Sequence, residues 1–324
     1  MARLAFFGTP EFSLPSLRAV HRYCVNFGHD LVVVVSQKDQ PTGRGLHFAP
    51  PPVKTSALAL DVPVLQPETL KKGTASGDHF FEQFLAYEID LAIVVAYGKL
   101  IPERLLFVPT HGFVNVHASL LPRFRGAAPV QRAIENGDRE TGVCLMAMVK
   151  RLDEGDIFVC ERSPILPFDT TSTLLRRLAH LGAHALYDNL FGLLRGTLQK
   201  MPQSEEGVVY APLVAKEEGA LNFSEPVKKI AQKVKAFDPW PGAFAFVHKK
   251  RVKFFDSFAI TDPTAKSDIA SGTVVVAGSF LGVKGPDGIV YFQAMQVEGK
   301  KILPIKDALL GFPIHVGDTI AHAP

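Results

Sequence analysis

Asn115 and His117 alternate with Val114 and Val116 in the run Phe113-Val114-Asn115-Val116-His117. The run reads as a strand, and strand geometry sends alternate side chains to one face, so the amide and the imidazole stand side by side. Both can donate hydrogen bonds. Set against a carbonyl oxygen that gains negative charge, such a pair serves acyl transfer, whose tetrahedral oxyanion needs donors already in position. A lone Asn-x-His is more often a pair of buried, hydrogen-bonded polar residues. Asp153 strengthens the chemical reading. It lies in Leu152-Asp153-Glu154-Gly155-Asp156, a glycine-containing turn, where a carboxylate can orient the imidazole or a water and move a proton. By itself such an Asp would be a plain turn residue. His21, His29, His47, His111, His180 and His184 have no spacing that binds a metal, and Gly8 is not followed by GxGxxG, so neither a metal nor a nicotinamide is expected.

Elements of two kinds must position these residues. Continuous apolar runs at Arg3 to Phe7, Asp30 to Val35, Asp90 to Ala96 and Gly112 to His117 alternate with helical patterns at His79 to Glu88 and around Pro102 to Phe107. That alternation predicts a Rossmann-like α/β domain with a parallel sheet covered on both faces, and ligands of such sheets sit beyond the carboxyl ends of the strands. Thr9 and Pro10 are expected to cap the first helix. Gly142 to Val149 and Ile157 to Glu161 read as further strands, and Thr170 to Arg195 as a helix that closes a catalytic domain of residues 1–195. A polar linker is placed at 196–209. From 210 to 324 a short helix with Val227, Ile230, Ala231 and Val234 precedes short strand-like runs, which predicts a small, OB-like antiparallel β-barrel. Trp240 is expected in a packing role.

Composition narrows the class. The chain has 324 residues, 47% hydrophobic and 21% charged, which fits an ordinary globular protein of two domains. There is no apolar run of about 18 residues, so a cytoplasmic protein with no membrane association is expected. Cys24, Cys144 and Cys160 are odd in number and lie in apolar settings, so they read as reduced packing residues without a disulfide. A net charge of +3 is too small to diagnose nucleic-acid binding, but between Tyr210 and Ile260 nine Lys and Arg face five Asp and Glu. Lys249, Lys250 and Arg251 are either a solvated hairpin tip or phosphate contacts. The stretch Gln37 to Pro52, rich in proline and glycine, is a loop of the length that is functional or mobile.

Several unusual segments recur in order. Asn115-Val116-His117 is followed by Ser119-Leu120-Leu121-Pro122-Arg123-Phe124-Arg125-Gly126-Ala127-Ala128-Pro129, and then by Leu152-Asp153-Glu154-Gly155-Asp156. This set resembles the formyltetrahydrofolate-dependent formyltransferase family, which includes hydrolases. Phe7-Gly8-Thr9-Pro10-Glu11-Phe12, Gln40-Pro41-Thr42-Gly43-Arg44-Gly45, Val94-Val95-Ala96-Tyr97-Gly98 and Pro239-Trp240-Pro241-Gly242-Ala243 narrow the resemblance to the branch that formylates methionyl-tRNA. The resemblance implies that 10-formyltetrahydrofolate is the co-substrate and initiator methionyl-tRNA the acceptor, with no obligate protein partner. It implies that Asn115, His117 and Asp153 are catalytic, that Ser119, Leu120, Leu121 and Pro122 line the folate site, and that backbone groups of Val95, Ala96 and Tyr97 meet the pterin. Arg44 and Lys38 in the long loop, with Lys249, Lys250 and Arg251, would face the tRNA. The alternatives are a 10-formyltetrahydrofolate hydrolase, or a formyltransferase acting on a sugar amine or on glycinamide ribonucleotide. Arg151 and Glu154 depart from the family pattern, which has a small residue and a threonine at those places.

Overall fold

Leu4, Ala5, Phe6 and Phe7 are all fully buried. A strand without a polar face needs cover on both sides, so β1 (Arg3–Gly8) runs through the interior of a seven-stranded sheet. The other strands are β2 (Asp30–Val35), β3 (Val64–Leu65), β4 (Leu91–Val95), β5 (Phe113–His117), β6 (Glu140–Ala147) and β7 (Ile157–Pro164). Their order is β7-β6-β5-β4-β1-β2-β3. The computed structural model describes residues 1–42, 47–262, 264 and 268–322; Arg44 lies outside them. These fall into two compact units, one of Met1–Gly126, Thr141–Ser163 and Leu175–Tyr210, the other of Ala127–Glu140, Pro164–Leu174 and Ala211–Pro324.

In the first unit β1 pairs in parallel with both β2 and β4, and β4 with β5. The chain leaves β1 toward β2 on one side and returns to β4 on the other, which opens a crevice at the carboxyl ends of β1 and β4. Beyond β5 the sheet changes sense, because β6 runs antiparallel to it; the expected parallel sheet is a mixed one at this edge. Helices α1 (Leu14–Phe27), α2 (Ala75–Ala86) and α3 (Thr171–Arg195) accompany the sheet. Phe80 and Phe84 of α2 meet Phe7 edge-on at 6.4 and 5.6 Å, and Tyr97 does so at 5.4 Å. Each such pair adds about 0.5–1.5 kcal/mol beyond the area that it buries.

Two expectations for this unit fail. Thr9 does not cap α1, since a 3-10 turn at Glu11–Ser13 intervenes and Pro15 occupies the first helical turn. Its hydroxyl instead donates to the Tyr97 carbonyl at 2.9 Å, which ties the ends of β1 and β4 together. Cys144 and Cys160, expected to be reduced, form a disulfide with a Cα–Cα separation of 4.2 Å. Sixteen residues separate them, and nothing in that spacing announces a bridge. The hydrogen-bonded neighbours β6 and β7 bring them opposite one another.

The second unit holds β8 (Phe244–Val247), β9 (Lys250–Thr261), β10 (Val274–Ala277), β11 (Leu281–Gly285) and β12 (Gly288–Val297), joined antiparallel in the order β8-β9-β12-β11-β10. The last described residues close the ring: Ala321 pairs with Phe246 at one edge and Thr319 with Thr273 at the other. Val227, Ile230, Ala231 and Val234 put the apolar stripe of α4 (Val227–Ala236) into the barrel core, as their helical spacing requires. Trp240 is 56% exposed and so does not belong to that core.

Candidate functional site

The strand β5 ends the crevice side of the sheet with Asn115 and His117 on one face. Their cross-strand partners on β6 are Met146 and Cys144, so that face is packed against a neighbour of sulfur-bearing side chains. His117 is buried and Asn115 half-buried. After β5 the chain folds back over its own end, and this return fixes the imidazole: the Phe124 carbonyl lies 3.0 Å from His117 Nε2. A carbonyl only accepts, so Nε2 carries a proton and Nδ1 is the nitrogen left for chemistry. Nδ1 points to Asp153 Oδ2 at 3.7 Å, which is too long for a direct hydrogen bond. Asp153 Oδ2 also accepts the Gly126 N–H at 2.8 Å.

Asp153 reaches this position because its loop is tightly drawn in. Its φ is +52°, in the left-handed region that only a few residue types visit readily. Gly155 lies so close to β6 that a Cβ there would sit 1.7 Å from the Ala147 carbonyl oxygen. Only glycine fits. The two departures flanking Asp153 pair with each other, Arg151 to Glu154 at 3.2 Å, and Glu154 Oε1 also lies 3.7 Å from the buried Arg125 guanidinium. Arg125, Gly126, Phe124 and Gln203 were not singled out in the sequence as site residues. Gln203 gave no signal, because it lies 50 residues beyond the aspartate whose carbonyl it bonds.

The other expected site residues divide. The Ser119 hydroxyl is buried and donates to the Arg123 carbonyl at 2.7 Å, so it shapes the return loop and presents nothing outward. Leu121 is buried with Cys144, Met146 and Ile157, and Leu120 and Pro122 flank it along the same loop. The Val95 carbonyl accepts from Ser13, and that of Tyr97 accepts from both Thr9 and Gln37. Of the three, Ala96 alone is exposed, with φ at +47° at the crevice end of β4. The Tyr97 ring is directed into the core, where desolvation raises its hydroxyl well above the usual range.

Lys38 is exposed and lies 3.6 Å from Glu68. In the second unit Lys249 forms the β8–β9 turn with φ at +63°. Lys250 lies over the Phe312 ring at 5.8 Å, and the Arg251 guanidinium over Phe244 at 3.6 Å. Arg251 and Lys253 line a shallow pocket of about 170 Å³ with Gln296, Glu298 and Gly299. Lys249 thus stands in the turn, and Lys250 and Arg251 lie over aromatic rings. No group of three or more His, Cys, Asp or Glu that could hold a metal ion occurs among the described residues.

A buried imidazole tied to a return loop and faced by a carboxylate fits acyl transfer, and comparison with known proteins decides the family. The model of the formyl transferase family matches residues 2–190, and that of the formyl transferase C-terminal domain matches 213–313. The chain belongs to the formyl transferase family. Among similar members, the methionyl-tRNA formyltransferase of Myxococcus xanthus is 42% identical over 97% of this chain and 96% of its own. That of Moorella thermoacetica is 39% identical over 98% and 99%. The fold also resembles the solved N-formyltransferase of Helicobacter canadensis, in complex with folinic acid and dTDP-3-aminofucose, with a TM-score of 0.67 at 18% identity, covering 90% of this chain and 98% of that one.

Proposed function

We propose that this formyl transferase moves the formyl group of 10-formyltetrahydrofolate to the α-amine of initiator methionyl-tRNA, giving N-formylmethionyl-tRNA and tetrahydrofolate for translation initiation in the cytoplasm. Membership of the family and relatives named methionyl-tRNA formyltransferase along nearly the whole chain support the reaction. The observation that carries the chemistry is the approach of His117 Nδ1 to Asp153 Oδ2 at the carboxyl end of β5. No helix among the described residues is long and apolar enough to cross a membrane.

The roles follow from the groups. Asn115 donates an amide N–H to the formyl oxygen as it becomes an oxyanion, an interaction stronger in the transition state than before it. The Nε2–H of His117 is committed to the Phe124 carbonyl, so His117 acts through Nδ1, donating to the oxyanion when Nδ1 is protonated. Asp153 faces Nδ1 and carries the proton from the attacking amine toward the departing N10. Leu120, Leu121, Pro122 and the exposed backbone of Ala96 border the folate. The catalytic work belongs to residues 1–195; residues 210–324 add acceptor affinity through Lys249, Lys250 and Arg251, and Lys38 and Arg44 add it from the long loop.

The test is a single assay of formyl transfer from 10-formyltetrahydrofolate to methionyl-tRNA, with the folate alone as control. Formylmethionyl-tRNA that appears only with both substrates is the expected result. Folate hydrolysis at an equal rate without the acceptor would overturn the reading in favour of a hydrolase.

A further inference from the structure

We infer that Gln203 is a positioning residue for the formyl transfer, holding Asp153 in its working place. The inference rests on the reading above, in which Asp153 acts on the substrate. The Nε2 of Gln203 donates to two carbonyls, that of Asp153 and that of Gly155, each at 2.8 Å. Its Oε1 accepts from Arg125 Nε at 3.0 Å. The chemistry of the partners sets the amide's orientation, because two carbonyls can only accept and a guanidinium N–H can only donate. Both amide hydrogens are therefore spent on the backbone of one loop, on either side of Glu154.

That loop is the one that needs holding. Asp153 stands at φ +52°, a conformation that a non-glycine residue keeps only when its surroundings impose it. Three devices impose it here. Gly155 lets the chain press against Ala147, Gln203 pins the carbonyls of Asp153 and Gly155, and the Gly126 N–H holds the Asp153 carboxylate at 2.8 Å. Arg125 links the last two. It precedes Gly126 in the chain, its side chain is 2% exposed, and it engages Gln203 on one side and Glu154 on the other. The carboxylate and the backbone that bears it are thus referred to one buried guanidinium. No shorter or purely accepting side chain does the same. Asn lacks the reach, and Glu places a carboxylate oxygen against two carbonyl oxygens.

Asp153 Oδ2 already lies at 3.7 Å from His117 Nδ1, and a misplacement of about 1 Å in such a constellation costs about 100-fold in rate. The experiment compares kcat and KM of Gln203→Met, Asp153→Ala and the double variant, with 10-formyltetrahydrofolate and methionyl-tRNA, after thermal melts of each. A positioning role predicts a fall in kcat of about 10- to 100-fold for Gln203→Met, with KM for the acceptor held, and a double variant no slower than Asp153→Ala alone. Losses that multiply in the double variant, or parental kcat in Gln203→Met, would overturn it. If Gln203→Met does not melt cooperatively, Gln203→Glu gives the same test, since it keeps an acceptor for Arg125 and loses both donors. Full activity in Asp153→Ala would instead remove the role given to Asp153, an outcome distinct from a silent Gln203.

Discussion

His117 and Asp153 face one another through Nδ1 and Oδ2 at 3.7 Å, while the opposite nitrogen of the same ring is held 3.0 Å from the Phe124 carbonyl. The ring cannot turn to offer Nε2 without stranding a buried carbonyl, which costs about 1–3 kcal/mol. Nδ1 is therefore the ring nitrogen that remains for the substrate. Asn115→Ala and His117→Ala are each expected to lower turnover by about 100- to 1,000-fold with little change in folate affinity, as loss of an oxyanion donor does. Turnover at saturating substrates and folate binding by titration check this. Near-parental turnover in either variant would make the pair structural.

Gly155→Ala tests the loop from its backbone side. The added carbon would meet the Ala147 carbonyl oxygen at 1.7 Å, and that oxygen belongs to β6 and cannot swing away as a flexible side chain would. The loop must lift from the strand, carrying Asp153 away from His117. Overpacking costs about 1–3 kcal/mol of stability, so the melting temperature should drop by several degrees and kcat should fall with it. A variant that melts lower but turns over at the parental rate would separate the loop's packing from the chemistry.

The strands β1, β2 and β4 were legible in the sequence because they are largely buried and their apolar runs are long, and β5 because it alternates apolar residues with two polar ones. Asn115 and His117 stood out for the same reason, as polar interruptions of such a run. What was not legible depends on long-range pairing. Gln203 and Asp153 meet across 50 residues, Arg125 is one more arginine in a basic loop, and the bond from the Ser119 hydroxyl to the Arg123 carbonyl depends on how the return loop folds. The Cys144–Cys160 bridge is of this kind too, since only the pairing of β6 with β7 brings the two sulfurs together. The 3-10 turn that displaced the expected cap at Thr9 reflects a competing partner, the Tyr97 carbonyl, at the end of the neighbouring strand.

The bridge has a direct consequence for thiol chemistry. Cys24 is the remaining cysteine, and burial pushes its thiol up to about 12, so the thiolate is scarce at neutral pH. The native protein prepared without reductant should therefore react hardly at all with a thiol reagent such as a maleimide. Denatured without reductant it should show one thiol, and after reduction three, by mass spectrometry of the labelled chain. Because His117 pairs directly with Cys144 across β5 and β6, formyl transfer should also be compared before and after reduction. Three reactive thiols in the unreduced, denatured chain would mean that the bridge is absent.

The long loop separates cations by what already holds them. Lys54 Nζ donates to both carboxylate oxygens of Asp39, at 2.8 and 2.9 Å, and this bond, together with one from Gln66, keeps the Asp39 carboxyl below its usual range. Lys38 is looser, 51% exposed and 3.6 Å from Glu68, and such an exposed pair is worth little and is screened by salt. Lys54 is thus an anchor at the base of the loop, while Lys38 is available to a phosphate. Arg44 sits between glycines in Gly43-Arg44-Gly45, where the backbone can approach a nucleic acid closely and a guanidinium can meet a phosphate bidentately. Arg44→Leu should weaken methionyl-tRNA binding and lower the salt slope of log K by about 1 if the contact is to phosphate, with 10-formyltetrahydrofolate affinity unchanged. Lys38→Ala should lower the slope by a similar amount, and Lys54→Ala should not. Binding measured across a salt series for the three variants decides it. Equal slopes for Arg44→Leu and the parent would take Arg44 out of the interface, and a loss of folate affinity in its place would put the loop over the folate.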